Sequence, residues 1–191
     1  MLIALAGGAG VGKSLVAKYI REFGYNVVDS DEINRKLLSQ SDYIDLLKLT
    51  FPEIVVNNEI SKNALRQIIF NDVAKRKTLN NLAHPLILNE ILKYSLQHEI
   101  LFVQIPLLIS CGFKSVFDII WVVTAPKKER LKRLISRDGI TRELAEQILK
   151  AQKVDDDAVY IANLVIDNSR SPEELKAVVH AALTNIPNIS I

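Results

Sequence analysis

Several features that mark particular protein classes are scarce in this sequence of 191 residues. Cys111 is the single cysteine, so no disulfide can form within the chain, and a reducing compartment suits it. The 24 lysines and arginines are balanced by 22 acidic residues, so the chain lacks the strong positive field typical of nucleic-acid binders. The longest apolar stretch is far shorter than the roughly 20 residues that a membrane-spanning helix needs. We therefore expect a cytoplasmic protein that binds neither nucleic acid nor membranes.

The sequence does contain enough apolar residues, 49%, to build a folded core. Its length suits one domain that carries a small inserted subdomain. Five apolar runs without alternation indicate strands buried on both faces, at about residues 2–6, 26–28, 100–105, 119–124 and 164–166. Segments with helical spacing separate these runs. The pattern predicts an α/β fold with a mostly parallel sheet of about five strands.

Two segments between the predicted strands are longer than a crossover connection requires. Residues 32–95 have several helix-like stretches and no strong strand signal, which predicts a helical insertion that binds a ligand. In residues 126–158, Pro126 opens one helix and Thr141 caps another, so we expect a helical hairpin that acts as a lid. Residues 1–31, 96–125 and 159–191 then form the core.

The strongest motif is Gly-Gly-Ala-Gly-Val-Gly-Lys-Ser at residues 7–14, here called the phosphate loop. It matches Gly-x-x-x-x-Gly-Lys-[Ser/Thr] and lies directly between a predicted strand and an amphipathic helix. Backbone amides of such a loop bind phosphate, the lysine reaches the β- and γ-phosphates, and the hydroxyl suits Mg²⁺. The motif predicts a three-layer core of the P-loop nucleoside-triphosphatase type, with ATP and Mg²⁺ as ligands. The expected nucleotide contacts are Gly8, Ala9, Gly10, Val11, Gly12, Lys13, Ser14 and Leu15, with Ser14 also on the metal.

Two carboxylates, Asp29 and Asp31, follow the second strand run. The carboxyl ends of parallel strands share one edge of a sheet, so these side chains are expected on the same edge as the phosphate loop. Asp31 lies farther past the strand and is the better candidate to accept a proton from an attacking hydroxyl. The alternative is that both residues only cap the helix that starts near residue 32.

A basic stretch follows the fourth strand run. Arg130, Arg133 and Arg137 fall within one narrow arc of the predicted helix. A lid that carried these side chains over ATP would stabilise the charge on the transferred phosphoryl group. The alternative is a solvated basic face.

Taken in order and spacing, these pieces resemble the dephospho-coenzyme A kinase family along nearly the whole chain. The matching segments are Gly7 to Ser14, residues 28–33, residues 64–70, His84 to Ile87, Pro106 to Leu108, residues 133–138, Gln152 and residues 165–168. The resemblance implies transfer of the γ-phosphate of ATP to the ribose 3′-hydroxyl of dephospho-CoA, with Mg²⁺. We expect the chain to be a monomer or weak homo-oligomer.

The same resemblance implies roles for individual residues. Asp31 is expected to be the base, beside Lys13 in catalysis, and Arg133 and Arg137 the lid ligands of phosphate. Asn168, at the end of the last strand run, is expected beside the ATP site. The expected contacts to the acceptor are Asp31, His84, Pro106, Leu107 and Leu108.

Five positions depart from the family pattern. They are Lys62 for a usual Arg, Ser110 for a common Glu, Arg130 for a usual Gln, Asp155 near a usual Arg, and Asn163 near a usual Asp. Ser110 and Asp155 change the charge, which can weaken the positioning of metal, substrate or phosphate. Arg130 and Lys153 are candidates to compensate.

Two other functions stay open. A shikimate-kinase-like enzyme also pairs a phosphate loop with Asp-x-Asp, but its glycine run after the third strand is replaced here by Ile105-Pro106-Leu107-Leu108. The departures also permit a non-catalytic relative that binds nucleotide without producing ADP. A GTPase is disfavoured because the sequence has no Asn-Lys-x-Asp signature.

Overall fold

A computed structural model of the chain describes residues 1–57, 59–152 and 156–186. Its strands are β1 (Leu2–Ala6), β2 (Asn26–Asp29), β3 (Val55–Val56), β4 (Glu59–Ile60), β5 (Leu101–Gln104), β6 (Ile119–Thr124) and β7 (Leu164–Asp167). Its helices are α1 (Lys13–Glu22), α2 (Ser30–Leu37), α3 (Ser41–Thr50), α4 (Lys62–Asn71), α5 (Val73–Ser95), α6 (Lys127–Asp138), α7 (Arg142–Ala151) and α8 (Pro172–Thr184). Short 3₁₀ turns lie at Pro52–Ile54, Lys114–Val116 and Asp157–Ile161.

The five apolar runs form one parallel sheet in the order β2-β5-β1-β6-β7. β1 lies in the middle and is buried throughout, as its lack of alternation predicted. The α/β fold class and the five-stranded parallel sheet are therefore confirmed.

The chain divides into two compact units. The core unit contains Met1–Asp29 and the chain from Tyr94 onward, and the inserted unit contains Ser30–Lys93. All five strands of the parallel sheet belong to the core unit, and α5 runs from the inserted unit into the core unit.

The main hydrophobic core lies within the core unit. Apolar side chains of β1, such as Ile3 and Leu5, pack in one cluster with Ile20 of α1 and Val179 of α8. The start of α8 is fixed by a capping box, in which Ser171 and Glu174 exchange side-chain to backbone hydrogen bonds.

Helices α6 and α7 form a hairpin with its own small core. The hairpin core consists of Leu131, Leu134, Ala145 and Leu149, all buried. Gly139 ends α6 in the left-handed conformation, and the hydroxyl of Thr141 accepts a hydrogen bond from the Leu144 amide at the start of α7. The expected start of α6 at Pro126 and the expected cap of α7 at Thr141 are confirmed.

The inserted unit is mainly helical, with α2, α3, α4 and most of α5. Two expectations for this part of the chain were wrong in detail. Helix α2 begins at Ser30, directly after β2, and not near residue 32. A short antiparallel hairpin pairs Val55 with Ile60, and its two-residue strands are too short to give a periodic signal.

Among residues 1–57, 59–152 and 156–186, no helix is both long and apolar enough to cross a bilayer.

Candidate active site

The phosphate loop leaves β1 at the middle of the sheet and ends in the first turn of α1. Gly7, Gly10 and Gly12 have positive φ angles of 136°, 75° and 96°. A Cβ atom on Gly7 would collide with the carbonyl oxygen of Val123 in β6. The loop therefore passes so close to the neighbouring strand that only glycine fits at its first position.

The Lys13 side chain folds back over the start of the loop. Its ammonium donates hydrogen bonds to the carbonyl oxygens of Gly7 at 2.6 Å and Gly8 at 3.1 Å, and the residue is only 9% exposed. The next residue, Ser14, is exposed at the N-terminus of α1. The arrangement holds a positive charge beside the loop while leaving a hydroxyl open to solvent.

Asn168, which follows β7, fixes the second half of the loop. It is 4% exposed, and its side-chain amide donates to the carbonyl oxygen of Val11 at 2.8 Å. The backbone amide of Asn168 donates to the carbonyl oxygen of Thr124, so the end of β6 determines where the Asn168 side chain lies. A Cβ atom on Gly12 would collide with the Asn168 amide. The structure therefore places the Asn168 side chain against the phosphate loop.

Arg133 of α6 reaches the same stretch of loop from the hairpin. Its guanidinium donates to the carbonyl oxygens of Gly10 at 3.3 Å, Val11 at 3.0 Å and Asn168 at 2.9 Å. A cationic side chain thus lies against the backbone of the predicted anion site.

Arg130, one turn earlier on α6, contacts the first half of the loop. Its Nε donates to the Ala9 carbonyl at 2.9 Å, and its Nη1 lies 3.0 Å from both carboxylate oxygens of Asp156. The amide of Ala9 donates to the side-chain oxygen of Gln152 at 2.7 Å. The carbonyl and the amide of Ala9 are therefore both hydrogen-bonded to side chains of the predicted lid.

Arg137 does not join the other two arginines in this structure. Its guanidinium is bonded to the neighbouring Asp138 at 2.6 and 2.8 Å, and its side chain is 67% exposed. This hydrogen bond raises the pKa of Arg137 and lowers the pKa of Asp138.

Asp29 is the last residue of β2, at the carboxyl-terminal edge of the sheet. It is paired in register with Gln104 of β5, which is paired with Leu5 of β1 on its other side. The Gln104 side-chain amide donates to the Asp29 carboxylate at 2.6 Å. Gln104 is only 8% exposed, so this hydrogen bond pairs a buried polar side chain. The bond fixes the Asp29 carboxylate at the end of its strand.

Two of the expected site residues, Asp31 and His84, belong to the inserted unit. Asp31 is exposed in the first turn of α2, and its carbonyl accepts a weak bond from Arg35 at 3.4 Å. His84 is half-buried in α5, immediately before a proline inside that helix, and burial lowers its pKa.

The Pro106 segment follows β5 in the core unit as a turn. Pro106 and Leu107 are half-buried and Leu108 is buried, and the Leu107 carbonyl accepts a bond from the Cys111 amide. The strand therefore stops at the expected place, on the same side of the sheet as the phosphate loop.

The departures from the family pattern differ in their surroundings. Ser110 is exposed in the turn after β5. Asn163 accepts a hydrogen bond from the Ile120 amide at 2.8 Å through its side-chain oxygen, an interaction that an aspartate also makes. Lys153 and Asp155 lie outside the described residues, as does the side chain of Lys62.

Sequence reasoning missed one participant altogether, Asp156. It lies in an acidic run whose spacing gives no sign that a single carboxylate pairs with a buried arginine. Gln152 was noted only as a matching residue. Both contacts join positions more than 20 residues apart, so local periodicity contains no signal for them.

Comparisons with known proteins agree in pointing to one family. The family model described as CoaE: Dephospho-CoA kinase matches residues 1–174. The dephospho-CoA kinase of Fusobacterium nucleatum subsp. nucleatum is 34% identical over 179 residues, which cover 92% of this chain and 93% of that protein.

Solved structures share the fold. The Thermus thermophilus protein TT1252 superimposes with a TM-score of 0.86 at 29% identity, covering 98% of both chains. The shikimate kinase of Acinetobacter baumannii, in complex with shikimate, gives a TM-score of 0.54 at 16% identity, covering 99% of this chain and 95% of that one. The second likeness concerns the fold alone.

Proposed function

The chain belongs to the dephospho-CoA kinase family, and from that premise we propose how its site works. It is an ATP-dependent kinase that phosphorylates the ribose 3′-hydroxyl of dephospho-CoA, giving CoA and ADP in the last step of coenzyme A biosynthesis. The observation that supports the site assignment best is the phosphate loop, with the ammonium of Lys13 held over its first two residues. The runner-up acceptor, shikimate, is not favoured.

ATP binding uses groups that the loop already presents. We propose that its phosphates bind the loop amides from Gly8 to Leu15 and the N-terminus of α1. The Lys13 ammonium then exchanges the carbonyl oxygens of Gly7 and Gly8 for phosphate oxygens, which carry more negative charge.

Mg²⁺ fits the donors present at this position. Ser14 offers an exposed hydroxyl beside the phosphate loop, and Mg²⁺ typically takes one or two protein oxygens, substrate phosphates and several waters. When bound, the ion supplies neutralisation of charge on the β- and γ-phosphates. We assign Ser14 as its protein ligand.

Asp31 is proposed as the base that accepts the proton of the 3′-hydroxyl. The β2 and β1 strands lie two strand spacings apart in the sheet, about 10 Å. Asp31 follows the end of β2 by two residues, a distance that the backbone covers in at most about 7 Å. The chain connection therefore keeps Asp31 close to the end of β2, and its exposure leaves the carboxylate open to an acceptor.

Further residues are assigned to charge neutralisation and to the acceptor. Arg133 lies against the loop and is proposed to stabilise the transferred phosphoryl group, joined by Arg137 when it exchanges Asp138 for phosphate. Contacts to dephospho-CoA are proposed for His84, Pro106, Leu107 and Leu108. Asn168 contributes by fixing the loop to which ATP binds.

The setting proposed for the reaction follows from the composition. A chain with one cysteine suits the reducing cytoplasm, and its balanced charge does not favour nucleic acid as a partner. We propose that it works on small molecules alone, as a monomer or weak homo-oligomer.

The acceptor is tested by giving the purified chain Mg-ATP with dephospho-CoA, and with shikimate in a parallel reaction. We expect ADP and a new 3′-phosphomonoester in equal amounts with dephospho-CoA, and no product with shikimate. Binding of both substrates without ADP formation would instead indicate a non-catalytic relative.

A further inference from the structure

Arg130 is a buried cation that contacts the first half of the phosphate loop. Its side chain is only 11% exposed, and two of its three nitrogens are bonded, Nε to Ala9 and Nη1 to Asp156. The third nitrogen, Nη2, is buried and has no hydrogen-bond partner within the described residues. A buried, unpaired donor on a charged group is costly, so this arrangement is expected only where something else pairs with it.

The unpaired nitrogen lies at the end of the loop where terminal phosphates bind. A Cβ atom on Gly8 would collide with Nη2, so the two are in close contact. The carbonyl of the same glycine accepts a bond from the Lys13 ammonium at 3.1 Å. Because the lysine of such a loop reaches the β- and γ-phosphates, two cations converge on the terminal-phosphate end.

Asp156 keeps Arg130 in this orientation. Its carboxylate is 37% exposed, whereas the guanidinium is buried, and both carboxylate oxygens lie 3.0 Å from Nη1. The ion pair offsets part of the arginine charge and fixes the orientation of the guanidinium. Nη2 therefore needs little reorganisation to donate a hydrogen bond to a phosphate oxygen.

We propose that Arg130 binds the terminal phosphate of ATP through Nη2 and that Asp156 is a positioning residue for it. The proposal rests on the proposed function only in taking ATP as the nucleotide. Gln152 covers the neighbouring amide of Ala9 in this structure, at 2.7 Å. When a phosphate oxygen of the nucleotide accepts the hydrogen bond of the Ala9 amide, it displaces the Gln152 side chain. A phosphate oxygen then has access to Nη2 of Arg130.

The test compares ATP with ADP, because only ATP has the phosphate that Arg130 is proposed to bind. Calorimetry with Mg²⁺ and no acceptor is carried out on the full chain, on Arg130→Gln and on Asp156→Asn. The matched control is Arg142→Gln, which removes an exposed arginine from a surface pair with Glu146.

For Arg130→Gln we expect ATP affinity to fall about ten- to a hundredfold, with less than a threefold change for ADP. Asp156→Asn is expected to give a smaller loss with the same preference, and Arg142→Gln no change. An equal loss for ATP and ADP would overturn the proposal, since it would mean that Arg130 only shapes the loop. Unchanged ATP binding would overturn it as well.

Two controls show whether a loss of ATP binding comes from misfolding of a variant or from failure of the proposed function. Thermal unfolding of each variant identifies the folded ones, and if Arg130→Gln does not fold, the ATP-to-ADP preference of Asp156→Asn decides by the same criteria. Since no acceptor is present, failure of the chain to phosphorylate dephospho-CoA would refute the proposed function without touching this measurement.

Discussion

Replacing Gly7 by alanine tests whether the path of the phosphate loop is dictated by its approach to β6. Two costs are expected. The φ angle of 136° strains any residue with a Cβ atom, at about 1–3 kcal/mol. The new methyl group also collides with the carbonyl oxygen of Val123, a backbone atom held in the sheet by pairing with β7. Because that atom cannot move aside cheaply, we expect a total loss of about 3–5 kcal/mol.

Gly24→Ala is the matched control. Gly24 also has a positive φ, 90°, but a Cβ atom there would meet nothing within 4 Å. This variant should lose only the conformational cost, about 1–2 kcal/mol. For a chain of this length each kcal/mol lowers Tm by about 2–4 °C, so Gly7→Ala should melt several degrees below Gly24→Ala.

Thermal unfolding followed by circular dichroism measures both variants, and ATP binding to the folded protein provides a second readout. We expect Gly7→Ala to weaken ATP binding because the loop must shift, and Gly24→Ala to bind normally. Equal Tm values for the two variants would refute the reasoning, since the collision would then contribute nothing.

Three further outcomes are expected. Asn168→Ala removes the hydrogen bond to the Val11 carbonyl, which still accepts one from Arg133. The free energy of unfolding should therefore fall by only about 1 kcal/mol, while the KM for ATP rises because the loop is less well fixed. An unchanged KM would contradict a role of Asn168 in fixing the loop. Burial lowers the pKa of His84, so the imidazole takes up a proton more readily in the unfolded chain, and the free energy of unfolding should fall as the pH drops below about 6.5. Denaturant unfolding of His84→Asn should show an unfolding free energy that depends less on pH than that of the parent chain. The same pH dependence in both chains would be inconsistent with this. Ser171→Ala removes the N-cap of α8 and should lower the unfolding free energy by about 1 kcal/mol, which a denaturant titration would detect.

Much of the core could be predicted because burial leaves a local signature. The inner strands β5, β1 and β6 are buried almost throughout, as expected for a parallel sheet that is covered on both faces. The expectation was wrong for β2 and β7, which lie at the two edges of the sheet and are partly exposed. The phosphate loop is equally local, because its glycines, lysine and serine must be adjacent in sequence to surround one anion. Helix caps such as Ser171 are also encoded within four residues.

The contacts that surround the loop could not be predicted in the same way. Arg130 meets Asp156, and Gln104 meets Asp29, only after the chain has folded, and spacing along the sequence says nothing about such pairs. The helical arc of α6 placed three arginines together, yet Arg137 pairs with its neighbour Asp138 in this structure. Helical periodicity gives the face of a residue but not which carboxylate competes for its side chain.

Turnover by Asp31→Asn tests the central claim, that a carboxylate just past β2 accepts the proton of the acceptor hydroxyl. The substitution keeps size and polarity but removes the basic oxygen. Lys13→Ala serves as the companion variant that should lose ATP binding as well. We predict that Asp31→Asn binds Mg-ATP with the affinity of the parent chain and loses transfer to dephospho-CoA by at least about a hundredfold. Near-parental formation of CoA by this variant would contradict the assignment of the base.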